Sequence, residues 1–321
     1  MPLLEVKNLK TYFPVKSGVF GRIKEYVYAV DDISFSIKQG ETLGLVGESG
    51  CGKTTVGRSI AKLYEEASGQ IIFDGKNILK LRGKELGKIR RNIGFIFQDP
   101  FESLDPRQTV YDILEEPFII HKIKRKNQRK KEILKLIDKV GMPEEFLSRF
   151  PHQFSGGQRQ RIAIARAIAL KPKFIICDEP VSALDVSIQS QILNLLLNLG
   201  KEMSLTLLFI SHALPVVRHI SDYTAVMYLG KIVEITDSDQ IATSSVHPYT
   251  KALISAAPLL SFTQKKERII LKGEVPSPIN PPTGCRFHTR CPNVMEICKR
   301  IEPKLKPVSQ TVKHLAACHL I

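Results

Sequence analysis

Apolar and polar positions alternate at the start of the chain, through Leu3 to Val6 and again through Tyr26 to Ile37, where Ile33, Phe35 and Ile37 share one side of a two-residue period. This pattern predicts half-buried strands broken by a Gly-containing loop around Ser17 to Arg22, an antiparallel entry to the fold. From Thr42 the pattern changes. Leu43 to Val46 forms an unbroken apolar strand, followed by a Gly-rich turn and an amphipathic helix from about Thr54 to Tyr64. A short strand is predicted between Gly94 and Gln98. Asp105 to Val140 reads as a helical insert whose apolar positions are Leu114, Ile133, Leu134, Leu136 and Ile137. Strand signals resume at Phe174 to Cys177, Leu205 to Ile210 and Thr224 to Tyr228, separated by helices around Val186 to Lys201 and Leu214 to Ile220. Strands and helices in alternation predict a parallel sheet covered on both faces. After His247 the periodicity fades and Pro248, Pro258, Pro276, Pro278, Pro281 and Pro282 punctuate the chain, which places a boundary near 245.

Composition adds scale and surroundings. With 321 residues, 43% of them hydrophobic, the chain can bury one large core and carry a smaller appended unit. No apolar run reaches the roughly 18 residues that cross a bilayer, and Met1 to Lys10 lacks the regions of a signal peptide, so a soluble, intracellular protein is expected. A net charge of +15 implies an anionic neighbour such as nucleotide, nucleic acid or a lipid surface. Lys122 to Lys131, with seven basic residues and no acid, reads as a solvated helix face or as a contact for anionic headgroups. Of six cysteines, Cys51 and Cys177 stand alone, whereas Cys285, Cys291, Cys298 and Cys318 crowd the end of the chain.

Two motifs carry phosphate chemistry. Gly47-Glu48-Ser49-Gly50-Cys51-Gly52-Lys53-Thr54, with Thr55 behind it, fits the phosphate-loop pattern and has the strand before and helix after that the pattern requires. Glycines let successive N–H groups turn inward toward phosphate oxygens, and the helix N-terminus adds positive potential. Lys53 is expected on the β and γ phosphates and the Thr54 hydroxyl on Mg²⁺. Cys51 occupies a turn position that suits a small side chain and points to no thiol chemistry. The second motif is the apolar strand Phe174 to Cys177 running into Asp178 and Glu179. Asp178 is expected to hold Mg²⁺ through its water shell. Glu179, on the other side of the pleat, is the expected general base for the attacking water.

Phe154-Ser155-Gly156-Gly157-Gln158-Arg159-Gln160-Arg161, opening a helix through Ile162 to Leu170, resembles the signature motif of the ABC ATPase family, with Phe154 where that family usually has Leu. The resemblance implies an α/β fold: a P-loop NTPase (RecA-like) core with an antiparallel β subdomain, a helical subdomain over about 99–163 and a small irregular Cys-containing extension. The implied domains are 1–245, the nucleotide-binding domain, and 246–321, the extension. It also implies that Ser155, Gly156, Gly157 and Gln158 serve the ATP of a partner subunit packed head to tail. By the same resemblance Gln98 is the Q-loop residue that senses Mg²⁺, Ser182 to Asp185 is the D-loop, and His212 bonds the γ phosphate. Ala213 stands where the family often has an acid. Phe13 fits the adenine-stacking aromatic best, with Tyr12 and Tyr28 as rivals.

Phe97-Gln98-Asp99-Pro100 through Asp105-Pro106-Arg107, with His247-Pro248-Tyr249, resembles the ATPases of oligopeptide and dipeptide importers over nearly the whole chain. Asp105 to Val110 and Glu115-Glu116-Pro117 resemble the F-type subunit. The implied function is ATP hydrolysis that energises peptide import. Implied partners are a non-identical D-type ATPase, two integral-membrane permeases and an extracytoplasmic binding protein, without nucleic acid. The implied location is the cytoplasmic face of the membrane, with the coupling helices of the permease docked near Gln98 to Arg107. Import of nickel or another small solute, or a soluble ABC ATPase acting on nucleic acid or ribosomes, are the alternative readings. In the importer ATPases it resembles, a quartet such as Cys285, Cys291, Cys298 and Cys318 can hold a [4Fe-4S] cluster. Zn²⁺ or free thiols are the alternatives.

Overall fold

A computed structural model describes residues 1–17, 22–123, 125–256, 269–308 and 314–321. The core of the loop expected around Ser17 to Arg22 and Lys124 of the basic run lie outside them. The chain divides into two compact bodies that interleave along the sequence: 2–37, 42–79 and 210–321 form one, 38–41 and 80–209 the other.

The first body holds a four-stranded antiparallel sheet in which Pro2–Ser17 lies between Arg22–Lys38 and Ala67–Phe73, with Lys76–Asn77 at the edge. Leu4 pairs with Phe73 and Val6 with Ile71, all four fully buried. The alternation of Ile33, Phe35 and Ile37 is preserved, each buried between exposed neighbours. Both N-terminal strands run longer than the apolar pattern indicates, because main-chain pairing continues through polar residues whose side chains face solvent.

In the same body Thr42–Val46 is buried at every position and pairs in parallel with Tyr223–Tyr228, Leu43 opposite Tyr223 and Val46 opposite Val226. Lys231–Asp237 and then Leu315–Ala316 add antiparallel strands beyond it, so this side of the sheet is mixed rather than parallel. Helix Leu214–Ile220 packs on Thr42–Val46 so closely that a Cβ on Gly44 would come within 2.1 Å of Val217 Cγ1.

The second body places Ile93–Ile96 parallel to Phe174–Asp178, with Thr206–Ser211, partly in this body, next in order. Pro100–Ser103 lies ahead of the insert predicted over Asp105 to Val140, and the insert itself is broken into Val110–Ile120 and Lys126–Lys139, followed by Gly156–Ile168. Thr109 and Asp112 form a reciprocal capping box that starts the second helix. Val110, Ile113, Leu114, Phe118, Ile133, Leu136 and Ile137 are buried, and Leu134 is half-buried. The described part of the basic run is mostly exposed, with Arg129 paired to Glu115 at 3.4 Å. No helix among the described residues is long and apolar enough to cross a membrane.

Candidate functional site

The phosphate loop leaves strand Thr42–Val46 and enters helix Lys53–Ile60 through Gly52, whose φ is 106°. Two glycines are sterically required. A Cβ on Gly47 would stand 2.1 Å from Met227 O, and one on Gly52 2.0 Å from Ala29 O. Lys53 is buried, and its Nζ donates to Gly47 O at 2.8 Å and Glu48 O at 3.0 Å, so the ammonium is held over its own loop. Ser49 and Gly50 are exposed, Thr54 and Thr55 half-buried. Burial pushes the Cys51 thiol up despite the neighbouring Lys53 ammonium, which leaves no reactive thiolate there.

Phe13 rests edge-on against Tyr64 at 5.0 Å, whereas Tyr12 packs on Tyr28 at 4.7 Å and donates to Asp31. His212 follows strand Thr206–Ser211 and is exposed, and Ser211 Oγ accepts from Ala213 N at 3.1 Å, a turn that needs no acid at 213.

In the other body Asp178 ends a fully buried strand with no exposed surface of its own. Glu179 lies just beyond the strand rather than on its pleat, with φ 45°, a conformation that costs a non-glycine residue about 1–3 kcal/mol. Gln98 Nε2 donates to Glu179 Oε2 at 3.5 Å, so the expected sensor and the expected base are neighbours. The segment after Gln98 is fixed by Asp99, which caps Phe101 N at 2.7 Å, and by Arg166, which donates to Ser103 O at 2.6 Å.

The signature turn caps its own helix. Ser155 N donates to Gln158 Oε1 at 3.0 Å and Gln158 N to Ser155 Oγ at 3.4 Å. Phe154 is buried against Phe146, 5.3 Å between rings, so the departure from Leu serves as an anchor in the helical insert. A Cβ on Gly157 would stand 2.5 Å from Ile188 Cγ2, and one on Gly156 3.2 Å from Leu184. Asp185 is exposed and precedes helix Val186–Met203.

All four tail cysteines belong to the first body. Burial pushes Cys285 up to about 11 and raises Cys291 and Cys318, with the neighbouring thiols adding to each shift. The donor set is all-sulfur, the kind that soft metals take, and Cys285 N donates to Cys298 O at 2.8 Å. Among the described residues no three His, Cys, Asp or Glu side chains are already assembled as a metal-binding group.

Sequence reasoning missed the residues that support the phosphate loop from behind. Tyr249 Oη accepts from Glu48 N at 2.9 Å, and Arg290 Nη1 donates to Glu48 Oε2 at 2.9 Å. Glu234, fully buried, accepts from Val246 N, His247 N and His314 Nε2. Only the string His247-Pro248-Tyr249 drew notice, and nothing in its spacing points to Glu48.

Comparison with known proteins covers nearly the whole chain. The profile described as ABC transporter matches residues 30–182, and that described as oligopeptide/dipeptide transporter, C-terminal region, matches 233–298. The oligopeptide transport ATP-binding protein AppF of Bacillus subtilis is 52% identical, spanning 99% of this chain and 97% of that protein. The dipeptide transport ATP-binding protein DppF of Haemophilus influenzae is 47% identical over 99% of this chain and 96% of its own. Among solved structures, a dimeric ATP-binding cassette in a post-hydrolysis state with ADP and Pi superposes with a TM-score of 0.65. It is 32% identical and covers 73% of this chain and 98% of that one.

Proposed function

The chain belongs to the ABC transporter ATP-binding family, and we propose that it is the ATP-hydrolysing subunit that energises peptide import through a membrane permease. The observation that carries the reading is a full-length resemblance to peptide-transport ATP-binding proteins that includes the C-terminal region as well as the ATPase portion. The subunit acts at the cytoplasmic face of the membrane, beside a second, non-identical ATPase, two permeases and a binding protein. Residues 1–245 serve as the ATPase domain and 246–321 as its extension.

ATP enters the phosphate loop as Lys53 exchanges the carbonyls of Gly47 and Glu48 for phosphate oxygens. Thr54, Gln98 and Asp178 offer the hard oxygen donors that Mg²⁺ prefers, and bound there the ion would neutralise phosphate charge. Glu179 takes the proton of the attacking water, with Gln98 orienting its carboxylate, and His212 bonds the γ phosphate. Phe13 stacks on adenine. Ser155, Gly156, Gly157 and Gln158, with Asp185 nearby in sequence to the catalytic strand, address the ATP of the opposite subunit. Cys285, Cys291, Cys298 and Cys318 would hold a [4Fe-4S] cluster, or Zn²⁺ in its place, as a staple for a tail poor in apolar residues.

Purification from gently solubilised native membranes under anaerobic conditions tests both parts. Two permeases and a second ATPase in stoichiometric amounts, with iron bound to this chain, are expected. A nucleic-acid complex or a self-dimer without permeases would overturn the transport reading, and absence of stoichiometric iron would overturn the cluster.

A further inference from the structure

The peptide between Gly47 and Glu48 is gripped from both sides. Its N–H donates to Tyr249 Oη at 2.9 Å, and its C=O accepts from Lys53 Nζ at 2.8 Å. In a planar trans peptide these two groups point in opposite directions, so fixing one fixes the other. Tyr249 therefore sets the direction of the carbonyl that holds the phosphate-binding lysine.

Tyr249 is itself immobile. It is fully buried, with Tyr228 at 4.7 Å and Phe287 at 5.4 Å between ring centroids, and Phe287 is also buried. The second grip is ionic. Arg290, whose side chain is 10% exposed, donates to the Glu48 carboxylate at 2.9 Å, and Glu48 itself is 28% exposed. A charge-assisted hydrogen bond of this kind is directional, and removing one partner leaves the other charge poorly solvated. A third contact, Gly230 N to Cys51 O at 2.9 Å, holds the middle of the loop.

We propose that Tyr249 and Arg290 are positioning residues for ATP binding: the C-terminal tail clasps the phosphate loop through Glu48 and keeps Lys53 aimed at the phosphate site. The proposal rests on the reading that this loop binds ATP. Arg290 immediately precedes Cys291, so the clasp joins the cysteine-bearing tail to the phosphate loop within a single body.

The test is titration of the full-length chain with trinitrophenyl-ATP, paired with thermal melting, for the wild type and for Tyr249→Phe, Arg290→Ala, Arg290→Lys, Glu48→Gln and the double variant Arg290→Ala/Glu48→Gln. Tyr249→Phe removes one hydroxyl and keeps the ring that fills the core. It and Arg290→Ala should each weaken ATP binding about fivefold or more, the loss of one hydrogen bond of ordinary strength. Arg290→Lys should recover most of the affinity, and the double variant should be no weaker than Arg290→Ala alone. In the assembled transporter the KM for ATP should rise while kcat at saturating ATP holds. Unchanged affinity in normally melting variants, or additive losses in the double variant, would overturn the clasp, as would equal losses in Arg290→Lys and Arg290→Ala with lowered melting temperature. A wild-type chain that takes up no nucleotide would instead sink the ATP reading itself.

Discussion

The chain carries two turns built to receive phosphate, and they are held in opposite ways. The loop Gly47 to Thr54 has no side-chain cap on its helix; Gly52 is the cap residue, and support comes from far along the chain, from Tyr249, Arg290, Gly230 and the backbone beside Met227. The signature turn Ser155 to Gln158 is closed by its own two side chains in a capping box, and its glycines are pressed by Leu184, just ahead of helix Val186–Met203, and by Ile188 within it. The first is prepared by tertiary structure and has its lysine already buried. The second is exposed at Ser155; each cradle must exchange bonds to accept a ligand, Lys53 its loop carbonyls in the first, and Ser155 and Gln158 their mutual caps in the second. A loop held by distant contacts suits tight ground-state binding, whereas a self-capped turn suits a partner that arrives and leaves once per cycle.

The sharpest way to break this comparison is to separate binding from turnover. Lys53→Ala removes the charge-assisted contacts of the first cradle and should weaken ATP binding by about 30-fold or more. Glu179→Gln should leave binding intact and lower hydrolysis by about 100- to 10,000-fold, the range general-base catalysis supplies. Equilibrium binding and single-turnover phosphate release in parallel read the two effects. Wild-type hydrolysis by Glu179→Gln would refute the base assignment.

Gly157→Ala addresses the second cradle alone. The added methyl meets Ile188 Cγ2 at 2.5 Å, so the turn or helix Val186–Met203 must shift, at about 1–3 kcal/mol. Turnover in the assembled transporter should fall about tenfold, while nucleotide binding by the isolated chain should match wild type. Loss of binding by the isolated chain would show that the two cradles are not independent in the way their supports indicate.

How much of this was legible in the sequence follows from the range of the interactions. Gly47 to Thr54 between a strand and a helix, Phe174 to Asp178, and Ser155 to Gln158 are local patterns written in neighbouring residues, and the strand, turn and helix expected of each are present. The break before Thr109 was missed because a capping box is a matter of two residues within a long apolar periodicity. The full length of Pro2–Ser17 was missed because strand pairing proceeds through backbone groups that every residue carries. The supports of the phosphate loop were beyond reach for a different reason: Glu48 lies about two hundred residues before Tyr249 and more before Arg290, and no period links them. Glu179's left-handed backbone was likewise invisible, since nothing in Asp-Glu-Pro announces φ 45°.

The smallest predicted effect tests whether the distant support of the first cradle has its own weakness. His247 lies directly behind Tyr249; its Nδ1 accepts from Tyr249 N at 3.1 Å, and burial pushes its pKa down to about 4. An unfolded histidine takes up a proton near 6.5, so the folded state binds fewer protons than the unfolded state between those values. The contribution of neutral His247 to stability is therefore complete above about pH 6.5 and is lost as pH falls toward 4, amounting to about 2 kcal/mol between pH 7 and pH 5. Urea unfolding at the two pH values, wild type against His247→Asn, isolates it from other titrating groups. The wild type should lose about 2 kcal/mol more than the variant on acidification, while affinity of the folded protein for ATP should hold between pH 7 and pH 5, because folded His247 stays neutral down to about 4 and keeps its bond from Tyr249 N. Parallel slopes in the two proteins would mean that the imidazole is not what ties the tail's packing to pH. The signature turn, which depends on no buried histidine, should show no such dependence in either protein.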